Sequence, residues 1–410
     1  MSTGLVSSNT PAMFWRLMVD PPPSEAEWVQ AIAESLDILP PGVRSGGHDL
    51  QQLLARTLGE EQFGPNHWTL SRARRLYYQV KPLLPRRLTR QLRQLTRSGS
   101  RAAFPLGWPV EDRYARFLWA LVSNLLRQRA VGSFPFIDFW PGGQRFALVL
   151  THDVETAAGQ EQVLRVADLE AQYGFRSSFN FVPERYRIDG AVIAKLRERG
   201  FEIGVHGLTH DGKLFSSQSK FMERAKRINQ HLRAFGAQGF RSPLTHRNPA
   251  WMQAIDMAYD LSFFDTDPFE PMPGGTMSLW PFQIGRFIEL PYTLPQDYTL
   301  TAVLEERSPR IWLMKLDTIE AFHGMALVNT HPDYLADRRT WTIYEQFLRA
   351  LSERKGYWHA LPAAVADWWS ARRSAASVEA LPGAVRAYFG PQGIKAPTIG
   401  SREPRLAAHG

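Results

Sequence analysis

The stretch LVLTHDVET occupies Leu148–Thr156. Its apolar lead reads as a fully buried strand, the kind found in parallel sheets covered by helices. Yet within four positions the strand ends in His152, Asp153 and Glu155. A buried carboxylate stays charged only beside a partner, so this cluster requires something close by.

The sequence after this strand alternates in texture. QEQVLRVADLEAQYG is helical and stops at Gly174, and RSSFNFVP reads as a strand. GAVIAKLRERG is helical to Gly200, FEIGVHG a strand, and SKFMERAKRINQHLRAFG helical to Gly236. GFRSP, LSFFDTDP, FIELPYTLP and MALVNTHP supply further strands, with PAWMQAIDMAY a helix between the first two. Strands and helices of this length in alternation imply βαβ units and a parallel sheet with helices outside. Several units in series suggest an α/β barrel; a doubly wound open sheet is the alternative.

Upstream, residues 24–130 read as helical. Ser24 follows three prolines as an N-cap, with Glu27 three positions on as its capping-box partner. The run Ser71–Arg101 holds ten Lys or Arg and no acid. Leu84, Leu88, Leu92 and Leu95 fall on one helical stripe there, a basic amphipathic pattern suited to an anionic membrane surface or a partner. The Pro-, Gly- and aromatic-rich stretch Val131–Arg145 marks a junction. We therefore expect a helical N-terminal region over 1–135, an α/β domain over 136–372 and a loosely ordered tail over 373–410.

Composition narrows the classes. The 410 residues carry a formal charge of +8 and no cysteine, which excludes disulfides and thiolate metal ligands. No window approaches the roughly 18 apolar residues a spanning helix needs. The N-terminus lacks a basic segment followed by an apolar one, so the expected location is the cytoplasm, peripheral to the inner membrane face if the basic run binds lipid. Nucleic acid is not an expected partner, because the basic run has no recognition motif and interleaves aromatics only at Tyr77 and Tyr78.

The polar exceptions collect at the C-terminal ends of expected strands: Asp153 and Glu155, His206 and His210, Arg241, Asp265 and Asp267, and His331. In parallel α/β folds that edge is where sites form. HGLTH places His206 and His210 four apart, able to meet one cation. A carboxylate from another strand end would make a three-ligand site with open positions, and Glu155 is the natural choice. Asp153, two residues back on the same side of an extended chain, would then stand beside the ion as a base. A divalent cation also relieves the repulsion between the two carboxylates.

The order of these motifs resembles the NodB-like polysaccharide deacetylases, carbohydrate esterase family four, over residues of about 146–335, slightly under half the chain. The first motif of that family is met by THDVE, with Val154 where a second aspartate usually stands. His206 and His210 match the His-x-x-x-His motif, Arg241 and Pro243 the Arg-x-Pro motif, FFDTDP loosely the fourth, and LVNTH the last. Leu244 replaces the usual aromatic after Arg-x-Pro.

The resemblance implies a distorted (β/α) barrel, a divalent cation that is usually zinc, and hydrolysis of a linear amide C–N bond. The expected activity removes an acyl group, acetyl above all, from the nitrogen of an amino sugar in a poly- or oligosaccharide or its lipid-linked precursor. Asp153 would be the base, Arg241 its ionic partner and His331 the acid, with Asp265 or Asp267 orienting His331. The backbone near Leu244 would hold the oxyanion. His246, Trp280 and Tyr292 would face or stack on sugar, while His152 points away and packs beneath the site. Two rivals remain at this stage: an amidase on a small non-sugar amide, and a non-catalytic saccharide-binding scaffold whose cation site the DVE spacing has disabled.

Overall fold

A computed structural model describes residues 4–65, 67–68 and 101–395. The expected basic helix of Ser71–Arg101 lies outside the described residues except for Arg101.

The strands are β1 (Phe134–Ile137), β2 (Phe146–Val154), β3 (Ser178–Phe181), β4 (Glu202–His206), β5 (Gly239–Arg241), β6 (Tyr259–Asp260), β7 (Phe282–Ile284), β8 (Phe287–Glu289), β9 (Met325–Thr330), β10 (Tyr357–His359), β11 (Arg386–Gly390) and β12 (Gly393–Lys395). Strands β2 to β6 and β8 run parallel in sequence order, β9 and β10 both pair with β2, and β7 closes an antiparallel hairpin onto β8. Gly285 opens that hairpin turn at φ +56°, a left-handed conformation that glycine takes without strain.

Helices follow the strands as the alternation predicts: Ala157–Gln172 after β2, Gly190–Glu198 after β3, Gln218–Ala234 after β4, Arg338–Glu353 after β9 and Pro362–Ser374 after β10. The sheet curls without a regular closing ladder. Past β8, the N–H groups of Thr293 and Leu294 both donate to the carbonyl of Leu327 in β9. The fold is thus a distorted (β/α) barrel, as expected.

One expected strand is displaced. Within LSFFDTDP only single bridges form, Phe264 to Tyr292 and Asp267 to Gly274, while the ladder sits just upstream at β6.

The N-terminal region is not a separate body. Its helix Glu25–Ser35 starts with the expected capping box, Ser24 and Glu27 satisfying each other's backbone N–H, and packs on the helix Arg113–Arg129 through Asn124 and Ser35, 2.9 Å apart. Trp119 of the second helix then stacks on Trp280 of the barrel at 5.5 Å, and Phe14 meets the same ring edge-on at 4.8 Å. One apolar core runs through both. The tail also departs from expectation: β11 and β12 form a three-stranded antiparallel sheet with β1, so order extends to Lys395. The 135/136 boundary accordingly falls inside β1, a strand that residues from both chain ends complete.

Beneath the site two acids face each other. Asp260 and Glu289 are register partners in β6 and β8, and both are fully buried. Burial raises both carboxyls, and the neighbouring Asp260 pushes Glu289 further, well above its usual value. An acid raised on folding holds its proton more tightly in the folded state. Its stabilising contribution is full below the unfolded value, near 4.5, and fades as pH climbs toward the folded one. Glu289→Gln replaces the shared proton by an amide N–H. We expect urea unfolding to show wild type losing more stability than E289Q between pH 5 and 8. Parallel losses in the two proteins would contradict the shared proton.

Candidate metal and acid–base centre

Register brings the polar residues together. Along β2, Thr151 and Asp153 alternate with His152 and Val154. Thr151 pairs in register with Asn329, Asp153 with Asn180, and His206 with Arg241. Five strands thereby present one polar cluster.

Asp153 is almost fully enclosed and heavily bonded. Its Oδ1 accepts from Asn180 Nδ2 at 3.0 Å and from an Arg241 NH at 3.2 Å, and its Oδ2 accepts from Asn329 Nδ2 at 2.8 Å. Burial opposes its charge, but the Arg241 guanidinium and the facing histidines outweigh that and hold the carboxyl far below the usual range. Arg241 is itself fixed: Nε donates to the carbonyl of Leu261 at 2.8 Å, and one terminal nitrogen also donates to Thr151 Oγ1 at 3.0 Å and Asn329 Oδ1 at 2.5 Å.

Glu155, His206 and His210 converge above this layer. One ligand atom from each lies within 4.8 Å of the others. Three atoms sharing an ion at about 2.1 Å each lie roughly 3–4 Å apart, so little movement would seat one. His206 Nδ1 lies 3.1 Å from the carbonyl of Arg241, an arrangement that makes Nδ1 the donor and leaves the buried Nε2 without a partner. Burial pushes His206 down to about 4, which keeps the ring in the neutral form that ligates. His210 Nε2 stands 3.0 Å from Glu155 Oε1 but outside hydrogen-bond geometry. The donor set therefore fits a divalent cation, and imidazole and carboxylate together suit zinc, cobalt, nickel or iron.

His331 faces the same space, its Nε2 4.0 Å from Asp153 Oδ2 and 3.8 Å from Glu155 Oε1. Its carboxylate partner corrects the expectation. Asp297, not Asp265 or Asp267, lies 2.7 Å from His331 Nδ1 and also accepts from the His331 backbone N–H at 2.8 Å. Asp265 instead binds Lys315 at 2.6 Å, and Asp267 caps the backbone N–H of Phe269 at 2.7 Å. Burial works against a charged His331 ring, but Asp297 and the two site carboxylates raise it to about 10.

The expected substrate residues divide. Leu244 is half-buried at φ +59°, followed by Thr245 at +53°, a left-handed pair directly after Pro243. His246 lines a small cleft with His210, Asp211, Arg224 and Pro243. Trp280 is a correction: it is buried in the aromatic core and donates Nε1–H to the carbonyl of His323 at 2.8 Å. Tyr292 is likewise buried, its ring 5.1 Å from Phe264, and presents no face for a sugar. His152 packs between sheet and helices, 2.8 Å from Glu170 and 2.7 Å from Thr330.

The chain is similar to solved polysaccharide deacetylases. A candidate polysaccharide deacetylase from Mycobacterium smegmatis aligns at a TM-score of 0.47 and 16% identity over 57% of this chain and 93% of its own. The peptidoglycan deacetylase PdaC from Bacillus subtilis aligns at 0.37 and 14%, over 57% and 96%. The PuuE allantoinase aligns at 0.47 and 14%, over 57% and 92%. No protein-family model and no curated protein matches the sequence. Likenesses of this degree leave the chemistry to be read from the side chains.

Sequence reasoning missed Asn180, Asn329 and Asp297. The first two are polar residues inside apolar strands, the same signal that drew attention to Asp153. Asp297 stands two residues after Pro295 in an irregular segment and gives no such signal.

Proposed function

We propose that the protein is a metal-dependent hydrolase that removes an N-acyl group, acetyl in the first instance, from an amino sugar of a saccharide or saccharide precursor in the cytoplasm. The observation that carries this reading is the convergence of Glu155, His206 and His210 on one point, flanked on the Asp153 side by an ionised carboxylate and on the other by a histidine that Asp297 holds. A cation held by those three side chains would supply Lewis acidity toward an acyl oxygen and make water more acidic.

The protein's own groups do the rest. Asp153, kept ionised by Arg241 and oriented by Asn180 and Asn329, accepts the proton of the attacking water. His331, held through Nδ1, carries a proton on Nε2 toward the departing amine. The left-handed turn at Leu244–Thr245 is our candidate for donors to the developing oxyanion. His246, in the adjoining cleft, is the candidate contact for substrate.

Metal analysis with a substrate panel tests the reading. Wild type is expected to bind one zinc per chain and to release acetate from N-acetylated amino sugars. Glu155→Ala and His206→Ala are expected to lose both zinc and activity. Wild type that stays metal-free under zinc dialysis would favour the scaffold, and cleavage confined to simple amides would favour the small amidase.

A further inference from the structure

The ends of β2 and β9 are tied together by a side chain outside the expected motifs. Asp333 stands two residues after His331, in the short turn Pro332–Leu335 whose N-cap is His331. Its Oδ2 accepts from the backbone N–H of Glu155 at 3.3 Å, and its Oδ1 accepts from the hydroxyl of Thr156. Thr156 in turn caps the helix Ala157–Gln172, its Oγ1 accepting from Gly159 N at 3.1 Å. Gly159 leaves the space: a β-carbon there would overlap the Asp333 carboxylate. Half-buried Asp333 thus receives one backbone and one side-chain donor from the segment that carries Glu155.

We infer that Asp333 is a positioning residue that latches the Glu155 segment to the His331 turn, holding the Glu155 carboxylate within reach of His206 and His210. The inference deepens the proposed function and rests on it for the cation. Asp333 is the side chain that grips the Glu155 backbone itself. Arg185 meets only the Glu155 carboxylate, at 3.9 Å, and is itself about a third exposed. Because one carboxylate bridges both loops, its removal frees Glu155 and changes its spacing from His331 together.

Two measurements on the full chain test the latch. The first is zinc affinity by competition with a chromogenic chelator. Asp333→Ala is expected to bind zinc about tenfold to a hundredfold more weakly, the usual effect of losing a group that orients a ligand. Asp333→Asn keeps an acceptor oxygen and is expected to recover part of the affinity, which also covers the case in which the alanine variant folds poorly. The second is amide hydrogen exchange at Glu155 in metal-free protein, expected to quicken at least severalfold in Asp333→Ala while amides in β3 stay as in wild type. Zinc affinity within twofold of wild type, or Glu155 exchange unchanged, would overturn the latch. Wild type that takes up no zinc, with Glu155 exchange still released in the variant, would instead overturn the metal reading and leave the latch standing.

Discussion

His331→Ala is expected to slow acyl hydrolysis about 10²- to 10⁴-fold, the range a general acid contributes, with one zinc per chain still bound. The ring is almost buried, and its Nδ1 and its own backbone N–H are both committed to Asp297. Only Nε2 remains to act, and it faces the gap between Asp153 and Glu155. Asp297→Asn keeps the ring in place but removes the charge that favours its protonated form, so an intermediate loss is expected. Steady-state rates and metal content measured on the same samples decide the matter. If zinc falls in step with rate in His331→Ala, the ring is a ligand and its assignment as acid fails.

Glu60→Ala is expected to cost about 3–5 kcal/mol of stability, the usual result of stripping one partner from a buried ion pair. Both Glu60 and Arg247 are fully buried. Glu60 accepts from Arg247 at 2.8 and 2.6 Å and from the backbone N–H of Gly275 at 2.7 Å. Burial opposes the carboxylate charge, but Arg247 and His67 outweigh it and bring the carboxyl down to about 2. Its contribution is therefore complete above about pH 4.5 and is lost as pH falls toward 2.

Without Glu60, the guanidinium is left among Phe264, Phe263 and Trp68, at 4.5, 5.2 and 5.4 Å. Arg247 also donates to the carbonyl of Thr245 at 2.9 Å, so the left-handed turn beside the site should loosen too. Urea unfolding at neutral pH reads the cost. A change below about 1 kcal/mol would mean that the pair breaks even against its own desolvation.

What the sequence disclosed follows from what kind of signal each residue gives. Asp153, Glu155, His206, His210, Arg241 and His331 are polar groups at the ends of apolar strands, and in a parallel sheet that placement has few explanations. The barrel was legible for the same reason, since its strand-and-helix alternation is local. Asp265 and Asp267 looked like equal candidates because motif order cannot say which acid a histidine meets. Lys315, 50 positions along the chain from Asp265, settles that partnership through packing alone.

Trp280 and Tyr292 were misread for a related reason. An aromatic side chain is equally at home under a sugar or in a core, and only packing tells which: Phe14 and Trp119 dock on Trp280, and Phe264 on Tyr292. The junction at Val131–Arg145 and the loose tail were read from composition. Composition carries no information on β1, whose neighbours come from opposite ends of the chain.

That strand has a consequence for synthesis. Phe136 in β1 bridges to Leu17 on one side and pairs with Ala387 on the other, and Arg372 donates to the carbonyls of Phe14, Ile137 and Asp138. During synthesis Phe14 thus waits for Arg372, and Phe136 for Ala387, before these partners exist. A chain cut before Arg372 would lack both the guanidinium and the β11 edge, and should yield product that chaperones retain and proteases clear.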